Sequence, residues 1–140
     1  QTYVTERRTP PLPALMEKHR SNAVVTGDLF AGDVNGADVI IFDDIISTGG
    51  TMLRAANEAA SRGAKQVFAM ATHGLLTPAS SDVLSASSIS RVVISDTAAV
   101  SPNLSSSDKL ETVSCARLLA ETIKRLHGGG SIHRLLTPTQ

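Results

Sequence analysis

Apolar residues along the chain gather in short, unbroken runs separated by polar, Gly-bearing stretches. Ala37–Phe42 (ADVIIF), Gln66–Ala71 (QVFAMA) and Arg91–Ile94 (RVVI) are continuous rather than alternating, which predicts strands buried on both faces of a parallel sheet. Leu110–Val113 (LETV) is a weaker fourth run and Ala14–Glu17 a short fifth. Between the first two lies Thr51–Arg62, where Met52, Ala55, Ala56, Ala59 and Ala60 recur at helical spacing. Glu58 and Arg62 sit one turn apart there, and Gly63 supplies a stop. Thr77–Ser88 reads as a second helix with Thr77 as N-cap and Pro78 at the first position. Ala116–His127 reads as a third, with Ala116, Leu119, Ala120, Ile123 and Leu126 on one face. Its Lys124, Arg125 and His127 complement the C-terminal dipole, and Gly128–Gly130 end it. Ser21–Gly36 and Ala99–Lys109 read as irregular, mobile connections. The order strand–helix–strand–helix–strand–strand–helix predicts an α/β fold, an open and mostly parallel sheet flanked by helices.

Composition narrows the functional classes. The chain has 140 residues, the size of one domain, and its thirteen basic and thirteen acidic residues cancel. No global field therefore draws it toward nucleic acid or an acidic membrane, and neither is expected as a partner. Aromatics are only 3% and Trp is absent, so the core must be aliphatic and base-stacking platforms have little raw material. The single Cys115 makes no internal disulfide, no CxxC pair offers zinc ligands, and no apolar run approaches a bilayer's span. Without a signal peptide in view, a cytoplasmic location is the expectation. A start at Gln1, with Pro-punctuated sequence through Pro13, reads as a fragment of a longer polypeptide.

The chemistry concentrates in Val39–Thr51 (VIIFDDIISTGGT): a strand, two acids, two apolar residues, then a small-residue loop that opens a helix. Ligands of open α/β sheets sit at the carboxyl ends of strands, which is where this loop falls. Ser47, Thr48, Gly49, Gly50 and Thr51 offer hydroxyls and approachable backbone amides, and the helix adds its N-terminal dipole, a combination suited to phosphate. Asp43 and Asp44 repel a phosphate but suit sugar hydroxyls, or Mg2+ held through them. A phosphate cup beside a diol-and-metal reader describes a ribose 5-phosphate site. A plain strand-to-helix turn with its N-cap also fits the spacing, and stays open at this stage. No Walker A or GxGxxG pattern follows any strand, so P-loop and dinucleotide readings do not apply.

VIIFDDIISTGGT resembles the phosphoribosyl-binding signature shared by type I phosphoribosyltransferases and ribose-phosphate diphosphokinases (PRPP synthetases). Other stretches resemble the synthetases in particular. They are ATHGL at Ala71–Leu75, VVISDT at Val92–Thr97, and Ser107–Leu136, which is similar to that family's C-terminal strand, helix and short final helix. Glu17-Lys18-His19-Arg20, with the stretch through Gly32–Val34, resembles the K-x-R flexible catalytic loop. The resemblance runs from about Pro10 to Leu136 and corresponds to the C-terminal half of a family member. It implies a phosphoribosyltransferase-like domain over 14–136, with an irregular segment 1–13 before it and a tail 137–140 after it.

The reaction implied joins ATP and ribose 5-phosphate to give 5-phosphoribosyl 1-diphosphate and AMP with Mg2+, a step of nucleotide biosynthesis. Lys18 and Arg20 match the K-x-R pair and are the implied catalytic residues; two positions apart on an extended segment, they face one side. Asp43, Asp44 and Ser47–Thr51 are the implied ribose 5-phosphate site, with Mg2+ at Asp43 and Asp44. The fragment alone is expected to be inactive, and the full-length protein to be a homo-oligomer, dimer or hexamer. Two relatives of this reading remain, a phosphoribosyltransferase and a non-catalytic regulatory homologue. The transferase calls for an aromatic hood, whereas Phe42 and Phe68 sit in strands expected to be buried. The regulatory homologue predicts lost chemistry residues, whereas all four of Lys18, Arg20, Asp43 and Asp44 are present. His73, at a strand end, is a weak candidate to neighbour the ligand. His127 and His133 look like helix-end residues.

Overall fold

The computed structural model describes residues 12–18 and 28–136. β1 (Leu15–Lys18) and β2 (Asp28–Ala31) form a two-stranded antiparallel ribbon in which Lys18 faces Asp28 in register. Part of the segment expected to be irregular is thus a strand. Residues 19–27 lie outside the described residues.

The main sheet has four parallel strands in the order β3 (Asp38–Ile46), β4 (Gln66–Gly74), β5 (Arg91–Ser95), β6 (Leu110–Val113). All four were legible as apolar runs, but β3 and β4 each extend several residues further. Pairing continues to Ile46 opposite Gly74, so Asp43 and Asp44 lie within the strand rather than in the loop beyond it.

α1 (Gly50–Ser61) packs on β3 and β4 through Met52, Ala55, Ala56 and Ala59, all buried, while Ala60 is exposed. Gly63 ends it at φ +84°, and Glu58 meets Arg62 at 2.7 Å, as the spacing predicts. The Thr77–Ser88 helix is shorter than expected: a 3-10 turn at Pro78–Ser80 runs into α2, Ser81–Ser85 only. Beyond it the serines bond elsewhere, Ser88 Oγ reaching Asn57 Oδ1 at 2.6 Å, which is how such residues compete with helix. Ala99–Lys109, expected to be irregular, carries the short α3 (Pro102–Ser105), which buries Leu104. α4 (Ala116–His127) has the predicted bounds, and α5 (His133–Leu136) follows, so His127 and His133 sit at helix ends as read.

The core is aliphatic, with Ile46, Val83, Ile89, Val92 and Ile94 at its centre. It occupies one face of the sheet only, which corrects the expectation of strands buried on both faces. The parallel strands run in sequence order, and crossovers of one hand, as parallel connections have, bring successive connecting helices to the same side of such a sheet. Along β3 the outward positions are therefore bare: Ile40 is 62% exposed and Phe42 74%. Phe42 is not buried as expected, and Phe68 on β4 is only half-buried. α4 leaves its apolar side open as well, with Leu118, Leu119, Ile123 and Leu126 all more than half exposed.

Its N-terminus is nevertheless tied down. Asp96, just past β5, accepts the Cys115 backbone N–H at 2.7 Å and the Ser114 hydroxyl at 2.6 Å. Those two bonds, the Cys115 amide first, hold the Asp96 carboxyl below its ordinary 3.8.

Candidate functional site

The end of β3 and the start of α1 enclose a pocket of about 280 Å3, lined by Asp43, Ile45, Ile46 and the run Ser47–Met52. Its shape begins with Gly49, which takes φ +79° as the residue preceding α1. An L-residue at that angle carries a steric cost, and a Cβ there would overlap Val83 Cγ2 of α2. Glycine is therefore required twice, by the backbone angle and by the space.

The N-cap of α1 is Gly49, which has no side chain to cap the helix, so the start of α1 presents backbone to the pocket. The loop is braced from behind. The Ser47 carbonyl accepts both the Ser80 hydroxyl at 2.5 Å and the Thr77 N–H at 3.3 Å, and Ser80 is fully buried. The Ser47 carbonyl is thereby occupied, which removes one acceptor that would repel an oxyanion at this loop.

Asp43 is half-buried and lines the pocket, with one carboxylate oxygen accepting the Asp44 N–H at 2.8 Å. Asp44 is exposed and is not among the lining residues. Neighbours in a strand face opposite ways, and the unexpected length of β3 puts both acids under that rule. The structure thus gathers Asp43 with Ser47, Thr48, Gly49, Gly50 and Thr51, and sets Asp44 at their margin. Among the described residues no trio of His, Cys, Asp and Glu could hold a metal by itself. A Mg2+ ion at Asp43 or Asp44 would therefore have to be completed by ligand hydroxyls and water. The Lys18 backbone closes β1; its side chain and Arg20 lie outside the described residues.

A family model described as the phosphoribosyl synthetase-associated domain matches residues 2–137. The chain belongs to this phosphoribosyl synthetase-associated domain family. Curated relatives of the domain include a ribose-phosphate pyrophosphokinase from Vibrio parahaemolyticus, 38% identical over 120 residues, covering 85% of this chain and 38% of that protein. Another, from Caldanaerobacter subterraneus, is 39% identical over 136 residues, covering 96% of this chain and 42% of the relative. The phosphoribosylpyrophosphate synthetase of Mycobacterium smegmatis superposes with a TM-score of 0.72 at 34% identity, over 84% of this chain and 37% of that one. The phosphoribosyl synthetase-associated domain seen here therefore spans about two fifths of the length of the curated relatives it matches. Among the described residues no helix is long and apolar enough to cross a membrane.

Sequence reasoning missed the bracing of the pocket. Ser80 lay in a serine-rich stretch with nothing to mark which hydroxyl would be buried, and its partner Ser47 is 33 positions away. It also gave His73 no partner. The ring's Nδ1 lies 2.8 Å from Thr97 Oγ1, across the gap between β4 and the turn after β5.

Proposed function

We propose that this chain is the ribose 5-phosphate-binding portion of a ribose-phosphate pyrophosphokinase, organised as one phosphoribosyltransferase-like unit over 14–136. Full-length, such an enzyme transfers the diphosphoryl group of ATP to the sugar's 1-hydroxyl. The observation that carries the reading is the uncapped start of α1, with Gly49 in the left-handed region, opening on a pocket that has Asp43 on its wall. The names and identities of the relatives support it.

In this mechanism the 5-phosphate sits on the Ser47–Thr51 amides and hydroxyls, where each charge-assisted bond contributes about 1.5–3 kcal/mol. Asp43 and Asp44 accept hydrogen bonds from the 2- and 3-hydroxyls, which orients the ring and its anomeric carbon. Mg2+, when bound at these carboxylates, offsets the negative charge of the diphosphoryl group. The anomeric oxygen forms its bond to the β-phosphorus as the bond to the bridging oxygen breaks, and AMP leaves with that oxygen. Lys18 and Arg20 supply positive charge where it accumulates, since such transfers depend on positioning and electrostatics rather than on a covalent helper. A homo-oligomer of the full-length protein belongs to the same proposal, and sedimentation of that product checks it.

Calorimetry of this chain with ribose 5-phosphate tests the pocket directly. Asp44→Ala and Thr51→Val should each weaken binding about tenfold, the loss of one good hydrogen bond to a charged or diol group. An unsubstituted chain that does not bind the sugar phosphate refutes the reading. Phe42 is exposed, but as the strand neighbour of Asp43 it faces the other side of the sheet and is not among the pocket's lining residues, so it gives the transferase alternative no stacking aromatic there. Release of AMP from ATP and ribose 5-phosphate by the full-length gene product separates the two, because a transferase releases none.

A further inference from the structure

A sugar phosphate needs two kinds of partner: hydrogen-bond donors for its oxyanion and acceptors for its hydroxyls. The loop after β3 is rich in donors, so acceptors near it limit what else can be read. One more stands at the carboxyl edge of the sheet. His73 is exposed and pairs in register with Ile45, a wall of the pocket, two positions after Ala71 pairs with Asp43.

The protonation of its ring follows from counting hydrogens. Ser95 Oγ lies 2.5 Å from the Thr72 carbonyl and 2.7 Å from Thr97 Oγ1, and Thr97 Oγ1 lies 2.8 Å from His73 Nδ1. Each of these three short contacts needs a hydrogen between its atoms. The two hydroxyls bring one each, and the Thr72 carbonyl brings none. Giving both hydroxyl hydrogens to any two contacts leaves the third as two bare lone pairs, unless the ring fills it. Sending the Thr97 hydrogen along its longer 3.2 Å approach to Thr72 O leaves the short contacts more deficient still. Nδ1 therefore carries a proton and donates to Thr97. The cluster is also held rigidly: Ser95 is buried and accepts the Thr97 N–H at 3.3 Å.

In the neutral imidazole, a proton on Nδ1 leaves Nε2 as an acceptor. Nε2 has no hydrogen-bond partner among the described residues, and the ring is exposed. We propose that His73 is a ligand-reading residue of this site, fixed as the Nδ1–H tautomer by Thr72, Ser95 and Thr97 so that Nε2 accepts a hydrogen bond from a hydroxyl of the bound sugar phosphate. The proposal rests on the ribose 5-phosphate reading of the Ser47–Thr51 pocket and adds, one strand over, a further acceptor to Asp43 and Asp44.

Nitrogen-15 spectra of the unsubstituted full chain, with labelled histidine at about pH 8 where imidazole is ordinarily neutral, report the tautomer without any ligand. The expected result is a protonated Nδ1 and a bare Nε2 at His73. A predominant Nε2–H form overturns the proposal whatever the chain binds. Calorimetry then compares ribose 5-phosphate with inorganic phosphate, which has no sugar hydroxyl. His73→Asn keeps a donor for Thr97 but lacks the Nε2 arm, and should weaken ribose 5-phosphate about five- to tenfold while leaving phosphate unchanged. His73→Gln, which places an amide near the Nε2 position, should recover part of that loss. Equal weakening of both probes marks a structural role and overturns the proposal. If the unsubstituted chain binds phosphate but not ribose 5-phosphate, the sugar assignment fails and the role of His73 with it. If it binds neither, the pocket reading itself is refuted, while the tautomer is still decided by the spectrum.

Discussion

Gly49→Ala is the perturbation that most directly tests how the pocket is made. Two separable costs meet at this residue. Holding an L-residue at φ +79° costs about 1–2 kcal/mol. Forcing a methyl against Val83, which is 1% exposed and has nowhere to move, adds about 1–3 kcal/mol of overpacking. The sum, about 2–5 kcal/mol, is a large part of the roughly 5–15 kcal/mol that holds a domain folded. Urea unfolding followed by circular dichroism measures it as a lowered midpoint at unchanged slope. Val83→Ala separates the parts. Alone it removes buried carbon and costs about 2 kcal/mol. Combined with Gly49→Ala it removes the overlap but not the backbone strain, so the pair should be at least about 1 kcal/mol more stable than the two losses added together. Strict additivity would mean that the contact between α2 and the loop does not shape it. A Gly49→Ala loss below about 1 kcal/mol would mean that the left-handed turn is not required. Either result refutes the account given of the pocket's geometry.

Other substitutions test the neighbouring features. Ser80→Ala removes one of the two donors to the Ser47 carbonyl and should cost about 1–3 kcal/mol, read from the same urea curves; a neutral result would sink the bracing argument. Asp96→Ala should lower stability in a pH-dependent way. Because the folded-state Asp96 value lies below 3.8, the stability it contributes is present above that value and is lost as pH falls through the lowered one. The gap between the midpoints of Asp96→Ala and the unsubstituted chain should thus narrow in acid, and hydrogen exchange at the Cys115 amide should accelerate over the same range. Phe42→Ser, on the bare face of β3, should change stability by no more than about 0.5 kcal/mol; a loss of several kcal/mol would show that the ring is packed.

The strands were legible because each apolar run is short and continuous, and α1 and α4 because alanine and leucine recur at helical spacing. Continuity misled on a different point. ADVIIF has the composition of a strand buried twice over, yet burial depends on where the crossovers run, and a sheet wound in one direction leaves one face to be covered from elsewhere. Nothing local to Ile40 or Phe42 records that. That a loop rich in Gly and hydroxyl residues joins β3 to α1 was legible from Ser47–Thr51 itself, because such residues interrupt a strand and open a helix. The partition of Asp43 and Asp44 was not, since it follows from β3 continuing to Ile46, which is decided by pairing with Gly74 on another strand. Ser80, Ser95 and Thr97 were invisible for the same reason: a hydroxyl acquires its meaning from partners between 23 and 33 positions away.

These long-range hydroxyls divide the carboxyl edge of the sheet into two kinds of surface. At the β3–α1 junction Ser80 and the Thr77 amide occupy the Ser47 carbonyl, and the N-cap Gly49 brings no side-chain acceptor, which biases that surface toward donors. One strand over, Ser95 and Thr97 spend their hydrogens on Thr72 and on each other, so the histidine must donate inward and an acceptor is left facing outward. Both biases are set by backbone carbonyls, of Ser47 and Thr72, that already accept hydrogen bonds within the fold. A site prepared this way discriminates by leaving the wrong ligand's groups unpaired, at about 1–3 kcal/mol for each buried group, rather than by adding contacts to the right one. An anion without hydroxyls would satisfy only the first surface, and a neutral sugar only the second. Only a molecule carrying both, at the separation of one β-strand from the next, satisfies the whole edge.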